Sequence, residues 1–196
     1  MRITDIEEHP ITLEFNDWHA EALMHFHGSS GLQRSIFIAH TDTGLEGLGE
    51  GRATPEMVEQ YIGTDPFDWI DDPVSLALGK AMYDLMGKHL GIPAHKLFGR
   101  RVRDWVPMGS WTVSQPPAAM AEEVRRFSAM GYTWMKYHTT PFQNVLEQTA
   151  AMQEVAPSYF KVHYDFNGGR TNDDILSLIR EVAEFPIAGM GEDVMN

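Results

Sequence analysis

From Trp105 onward the sequence repeats one pattern, a short β-rich run followed by an amphipathic helical run, with successive β-rich runs starting roughly 27 residues apart. The strands are read at residues 105–113, 132–138, 160–166 and 186–192, and the helices between them at 117–130, 142–155 and 172–184. Strands separated by helices of this length form βαβ units, so this half of the chain is expected to build a parallel sheet of about four strands with helices packed on it. A regular strand–helix period is also what a (β/α)8 barrel requires. Such a barrel needs about 250 residues, or about 200 at the fewest, and this sequence has 196 in all. The fold class expected here is therefore α/β, as an incomplete (β/α) barrel, preceded by something else.

What precedes it is α+β. Residues 3–13 alternate loosely and carry Pro10 where only an edge strand accepts it. Residues 35–40 are β-rich, and Asp42-Thr43-Gly44 then turns the chain into residues 45–50, giving a small antiparallel sheet with a hairpin. Thr54 before Pro55 reads as a helix N-cap with Pro at the first turn, and that helix is expected to reach Gly63. Residues 65–73 form a turn-rich connector. A second helix over 75–89 has Leu76, Leu78, Ala81, Met82, Leu85 and Met86 at near-helical spacing and is closed by Gly91 and Pro93. The polar and aromatic stretch 16–31, with Trp18, His19, His25, Phe26 and His27, is expected to be a long loop. The domain boundary falls at the basic connector 99–104, which divides the chain into 1–100 and 101–196.

Composition narrows the function classes. With 15 Lys and Arg against 28 Asp and Glu, the net charge of −13 disfavours nucleic-acid and anionic-membrane partners. The absence of Cys removes disulfides, thiolate metal sites and Cys nucleophiles, and makes the cytoplasm the default compartment. No apolar run reaches the length of a membrane span, and the first 30 residues carry acids where a secretion signal would be apolar.

The informative polar residues sit at the ends of the parallel strands, where barrel enzymes place their chemistry. By the period of two, Val162, Tyr164 and Phe166 share one face of the third strand, and His163, Asp165 and Asn167 share the other. The apolar set belongs under the helices, which turns Asp165 and Asn167 inward. Lys136 and His138 likewise share a face of the second strand, opposite Met135 and Tyr137, and the fourth strand ends in Glu192-Asp193. Each residue has an ordinary reading as well. Asp-x-Asn before Gly168-Gly169 is common turn chemistry, a strand-end Lys can reach out to solvent, and His138 and Glu192 can be unexceptional polar residues. Their co-location on three successive strands favours chemistry. Asp165 and Glu192 are hard oxygen donors suited to Mg²⁺. A Lys and a His beside such a cation can serve as acid and base, and metal plus base is the combination that removes a proton α to a carboxylate.

Taken together these residues resemble the enolase superfamily, in the mandelate racemase and muconate lactonizing enzyme branch. The resemblance runs along the whole chain. Met1-Arg2-Ile3-Thr4 through Gly47-Leu48-Gly49-Glu50-Gly51 is similar to the capping domain. The stretch from Ala81 to Lys88, with Gly91-Ile92-Pro93 and Leu97-Phe98-Gly99, resembles the helix and linker leading into the barrel. Residues 131–138 match the second-strand Lys-x-Lys motif, with Lys136 at the first Lys and His138 replacing the second, and Asp165-Phe166-Asn167 matches the third-strand motif. The resemblance implies Asp165 and Glu192 as Mg²⁺ ligands, Lys136 and His138 as acid/base residues, and Asn167 as a neighbouring polar group. It also implies that residues 16–31 and the segment around Arg52 close over the site, with His19, His25, His27 and Arg52 as substrate contacts. An alternative for the three His is that they are exposed loop residues.

The family's third ligand and its opposite-face base come from later strands, which do not occur in these 196 residues. The expectation is therefore twofold. The parent enzyme is a Mg²⁺-dependent dehydratase of a sugar acid, homo-oligomeric when full-length, with a racemase, epimerase or cycloisomerase as the alternative. The chain itself is expected to be an inactive fragment, or else a non-catalytic half-barrel that dimerises.

Overall fold

The computed structural model describes residues 1–167 and 171–192, apart from the side chains of Phe26, His27 and Glu192. In chain order the elements are β1 (Ile3–Glu14), α1 (Asp17–His27), β2 (Gly31–Thr41), β3 (Glu46–Gly51), α2 (Pro55–Tyr61), α3 (Leu76–Leu90), β4 (Ser110–Val113), α4 (Pro117–Ala129), β5 (Trp134–His138), α5 (Val145–Val155), β6 (Lys161–Asp165), α6 (Asn172–Val182) and β7 (Ala188–Glu192). Short 3-10 helices at Pro66–Trp69 and Ala94–Phe98 join them. The chain forms two compact units, one of residues 1–15 and 30–104, the other of residues 16–29 and those from Trp105 onward.

The first unit is an antiparallel sheet in the order β1-β2-β3, with α3 packed on one face. The Gly-Leu-Gly-Glu-Gly run has a physical cause. A Cβ at Gly47 or Gly49 would run into the backbone oxygens of Ala81 and Ala77, so glycine is what lets α3 lie directly on β3. The open edge of β3 is covered from the same helix. Asp84 accepts from the Leu48 N–H at 2.9 Å, while Lys80 and Lys88 donate to the Glu50 and Glu46 carbonyls at 2.9 and 2.6 Å. Three ladder groups that could template a foreign strand are thereby satisfied. Ile3, Ile6, Phe37, Ala39, Leu78, Met82, Leu85 and Met86 fill the core below. Pro10 lies on β1, which pairs only with β2, as an edge strand allows. The expected connector 65–73 includes the 3-10 turn, and α2 stops at Tyr61, short of Gly63.

The second unit is a parallel sheet in the order β4-β5-β6-β7. Met135, Tyr137, Val162, Tyr164 and Phe166 meet Met120, Val124 and Phe127 of α4, Val145 and Met152 of α5, and Ile175 and Val182 of α6 in one core. Only 110–113 of the expected strand 105–113 pair with a neighbour. Trp105, Val106 and Met108 before them are exposed, and Pro107 offers no N–H to a ladder.

One expected loop is instead a helix. Residues 16–31 are not a loop, because Asp17–His27 is helical. The Asn16 side chain caps the helix start by accepting the His19 N–H at 3.1 Å, and Gly28 at φ +69° ends it in the left-handed conformation. The stretch lacks an apolar stripe wide enough to announce a helix, so its Asn and Gly caps were the legible sign.

Candidate active site

Strand register builds the site. His138, Asp165 and Glu192 lie at one level across β5, β6 and β7, and Trp111, Lys136, His163 and Met190 lie at the level beneath, across β4 to β7. Parallel partners share a face, so Trp111, Lys136, His138, His163 and Asp165 line the side of the sheet opposite α4, α5 and α6. The expected facing is observed. Met135 and Tyr137 are fully buried under the helices while Lys136 and His138 remain partly accessible, and Val162 and Tyr164 are buried opposite His163 and Asp165.

Asp165 is the pivot. Its side chain is only 11% exposed; Oδ2 accepts from Lys136 Nζ at 2.8 Å and Oδ1 from the backbone N–H of Asn167 at 3.0 Å. A carboxylate held by one cation and one amide is fixed in orientation before any ligand arrives. Asn167 does not face the sheet interior beside Asp165 as the alternation suggested. It follows the strand at φ +50° and is exposed, and its own contribution is the amide that locks Asp165. The Gly168-Gly169 turn, Asp193 and the side chains of His27 and Glu192 lie outside the described residues. Among the described residues no cluster of three His, Asp or Glu is arranged to hold a metal ion. The backbone of Glu192 stands beside Asp165 on the next strand.

The helix-covered face of these strands is polar too, but closed. Tyr137 donates its hydroxyl to Gln148 Oε1, and Gln148 Nε2 donates to Ser114 Oγ at 3.0 Å and to the Gln115 carbonyl at 2.5 Å. Gln148 therefore ties α5 to the turn after β4. Tyr164 bonds Thr149 at 3.0 Å, and burial pushes its phenol up to about 12. Neither Gln148 nor Thr149 carries a sequence signal, since each is a polar residue within a helix and its partner lies on another element.

The capping residues part ways. His19 on α1 is 3% exposed; its Nε2 donates to Glu123 Oε2 at 2.9 Å, and Arg126 Nη2 lies 2.7 Å from both oxygens of that carboxylate. Buried in this way, it is a structural group of the second unit. His25 lines a cavity of about 610 Å³ with Trp18, Glu21, Ser114, Gln115 and Gln143, at the ends of β4 and β5. Arg52 is exposed in the first unit, where it lines a separate cavity of about 420 Å³ with Arg34 and Thr54.

No protein-family model matches the chain. A D-galactonate dehydratase of Xanthomonas euvesicatoria pv. vesicatoria (strain 85-10) is 23% identical over 200 residues, which cover 83% of this chain and 52% of that protein. A D-galactonate dehydratase of Variovorax paradoxus (strain S110) is 28% identical over 140 residues, covering 57% and 36%. Among solved structures, N-succinyl Arg/Lys racemase from Bacillus cereus ATCC 14579 superposes on all of this chain and 60% of its own with a TM-score of 0.80 at 22% identity. Dipeptide epimerase from Enterococcus faecalis V583, complexed with Mg and L-Leu-L-Tyr, does so over 100% and 62% with a TM-score of 0.76 at 20% identity. The chain shares the fold of these racemase and epimerase structures: a three-stranded antiparallel sheet with helices, then four parallel strands with helices between them. The chain spans about half the length of the curated relatives it matches.

Proposed function

We propose that this chain supplies the cap and the first barrel strands of a Mg²⁺-dependent enzyme that removes the proton α to a carboxylate, acting as a sugar-acid dehydratase. The observation that carries the reading is the alignment of His138, Asp165 and Glu192 at one level of three adjacent strands, with Lys136 2.8 Å from Asp165. The donor chemistry fits Mg²⁺: Asp165 is a buried, pre-oriented carboxylate, and Glu192 follows it on the next strand, so the two would hold the ion with water in the remaining positions. When bound, the ion supplies positive charge that favours build-up of electrons on the substrate carboxylate.

The chain's own groups do the rest. Lys136 directs its ammonium into the site beside Asp165, where it holds the substrate carboxylate. His138, one level above on the same strand, takes the α-proton. As the electron pair left on the α-carbon forms the carbon–carbon double bond, the β-hydroxyl departs as water with the proton that His138 took, which restores the neutral imidazole, and the resulting enol becomes a 2-keto acid. The sugar-acid assignment is supported by the dehydratase relatives and by the polar lining of the cavity around His25, which we assign to substrate binding together with Asn167. An acidic, homo-oligomeric cytoplasmic enzyme without nucleic-acid or membrane partners belongs to the same reading; among the described residues no helix is long and apolar enough to cross a membrane.

A second reading, racemisation or epimerisation, is favoured by the racemase and epimerase structures that share the fold. Incubation in D₂O separates the two, since a dehydratase releases 2-keto acid whereas an epimerase returns substrate with deuterium at the α-carbon. The 196 residues alone offer two carboxylate ligands, and we propose that by themselves they do not turn over. Release of 2-keto acid from D-galactonate and Mg²⁺ by this polypeptide would overturn that statement.

A further inference from the structure

Resting on the reading above, we propose that Trp111 is the aromatic wall against which the substrate's carbon chain packs, and that buried His19 is the positioning residue that holds its ring. Trp111 is the β4 residue in register with Lys136, so it lies on the face that bears the acid/base pair, and its ring centroid is 6.3 Å from that of His138. It is 37% exposed, whereas its neighbours Ser110, Thr112 and Val113 are buried. An indole left accessible beside an imidazole and an ammonium presents flat apolar surface where a substrate anchored by its carboxylate extends its remaining carbons.

The ring is held from behind. His19 of α1 meets Trp111 edge-on, with centroids 5.7 Å apart and planes at 88°. His19 in turn donates to Glu123, and Arg126 clamps that carboxylate with its guanidinium 4.5 Å over the Trp18 ring, so both ends of the arrangement return to α1. The His19 Nδ1 atom is buried without a hydrogen-bond partner among the described residues. The tautomer with its proton on Nε2 fits, because it places the donor on Glu123 and leaves no N–H stranded. His19, 3% exposed, thus stands at the back of an aromatic ring whose front a substrate can reach. It acts by fixing the plane of Trp111.

The test uses the chain with Mg²⁺ and straight-chain aldonates of increasing length, with binding read by calorimetry and near-ultraviolet circular dichroism. Trp111→Ala is expected to leave Mg²⁺ affinity within twofold of wild type and to weaken aldonate binding at least fivefold, with a loss that grows with chain length. The Trp111 dichroism band, taken as wild type minus Trp111→Phe, is expected to fall by half or more in His19→Ala and in Glu123→Ala. Glu123→Gln, whose amide oxygen still accepts from His19, restores it. Unchanged aldonate affinity in Trp111→Ala overturns the wall, and an unchanged dichroism band in His19→Ala overturns the positioning role. Failure of wild type to bind Mg²⁺ overturns the underlying reading, and the inference with it.

Discussion

The two faces of the parallel sheet are made from alternate residues of the same strands and have opposite characters. On the helix-covered face, Tyr137 and Tyr164 are buried and their hydroxyls are bonded to Gln148 and Thr149. On the other, Lys136, His138 and His163 remain partly accessible, and Lys136 forms an ion pair with the nearly buried Asp165. Both faces bear polar atoms. Polarity alone therefore does not mark a site; what differs is whether water or a ligand can reach it. Tyrosine and glutamine close on one another, whereas the Lys136 side chain, paired with Asp165, stays 40% exposed.

The sharpest way to break this contrast is to truncate neighbours in sequence. Met135→Ala removes a fully buried side chain and is expected to cost about 2–5 kcal/mol in denaturant unfolding, whereas Lys136→Ala, one residue on, should change stability by no more than about 1 kcal/mol. Equal costs would mean that the face bearing Lys136 is also packed. Next in size is alkaline pH. Burial raises the Tyr164 phenol from 10.0 to about 12, so the folded state keeps its proton after the unfolded chain has lost it. Stability is then complete below about pH 10 and declines by about 2–3 kcal/mol as pH rises to about 12. Tyr164→Phe should flatten that decline. Smaller again is Gln148→Ala, which strands the Tyr137 hydroxyl and should cost about 1–3 kcal/mol by thermal unfolding.

How much of this was legible follows from the same contrast. The period of two separated Lys136 and His138 from Met135 and Tyr137, and Asp165 from Tyr164, because facing along a strand is a local property. Trp111 was not legible, since its relation to Lys136 depends on register between strands, and the run 105–113 is longer than the part that pairs. The sequence places His19 in a loop because helix α1 is marked by its caps rather than by an apolar stripe. Its Glu123 partner lies 104 residues away, beyond the reach of any local pattern.

The central claim, that Asp165 and Glu192 form one cation site on the accessible face, is tested most directly by Mg²⁺ calorimetry on the chain and on Asp165→Asn and Glu192→Gln. The account predicts saturable binding of one ion by the wild-type chain and at least a tenfold loss of affinity in each variant, with unfolding midpoints little changed. Binding of Mg²⁺ by Asp165→Asn with wild-type affinity would contradict it.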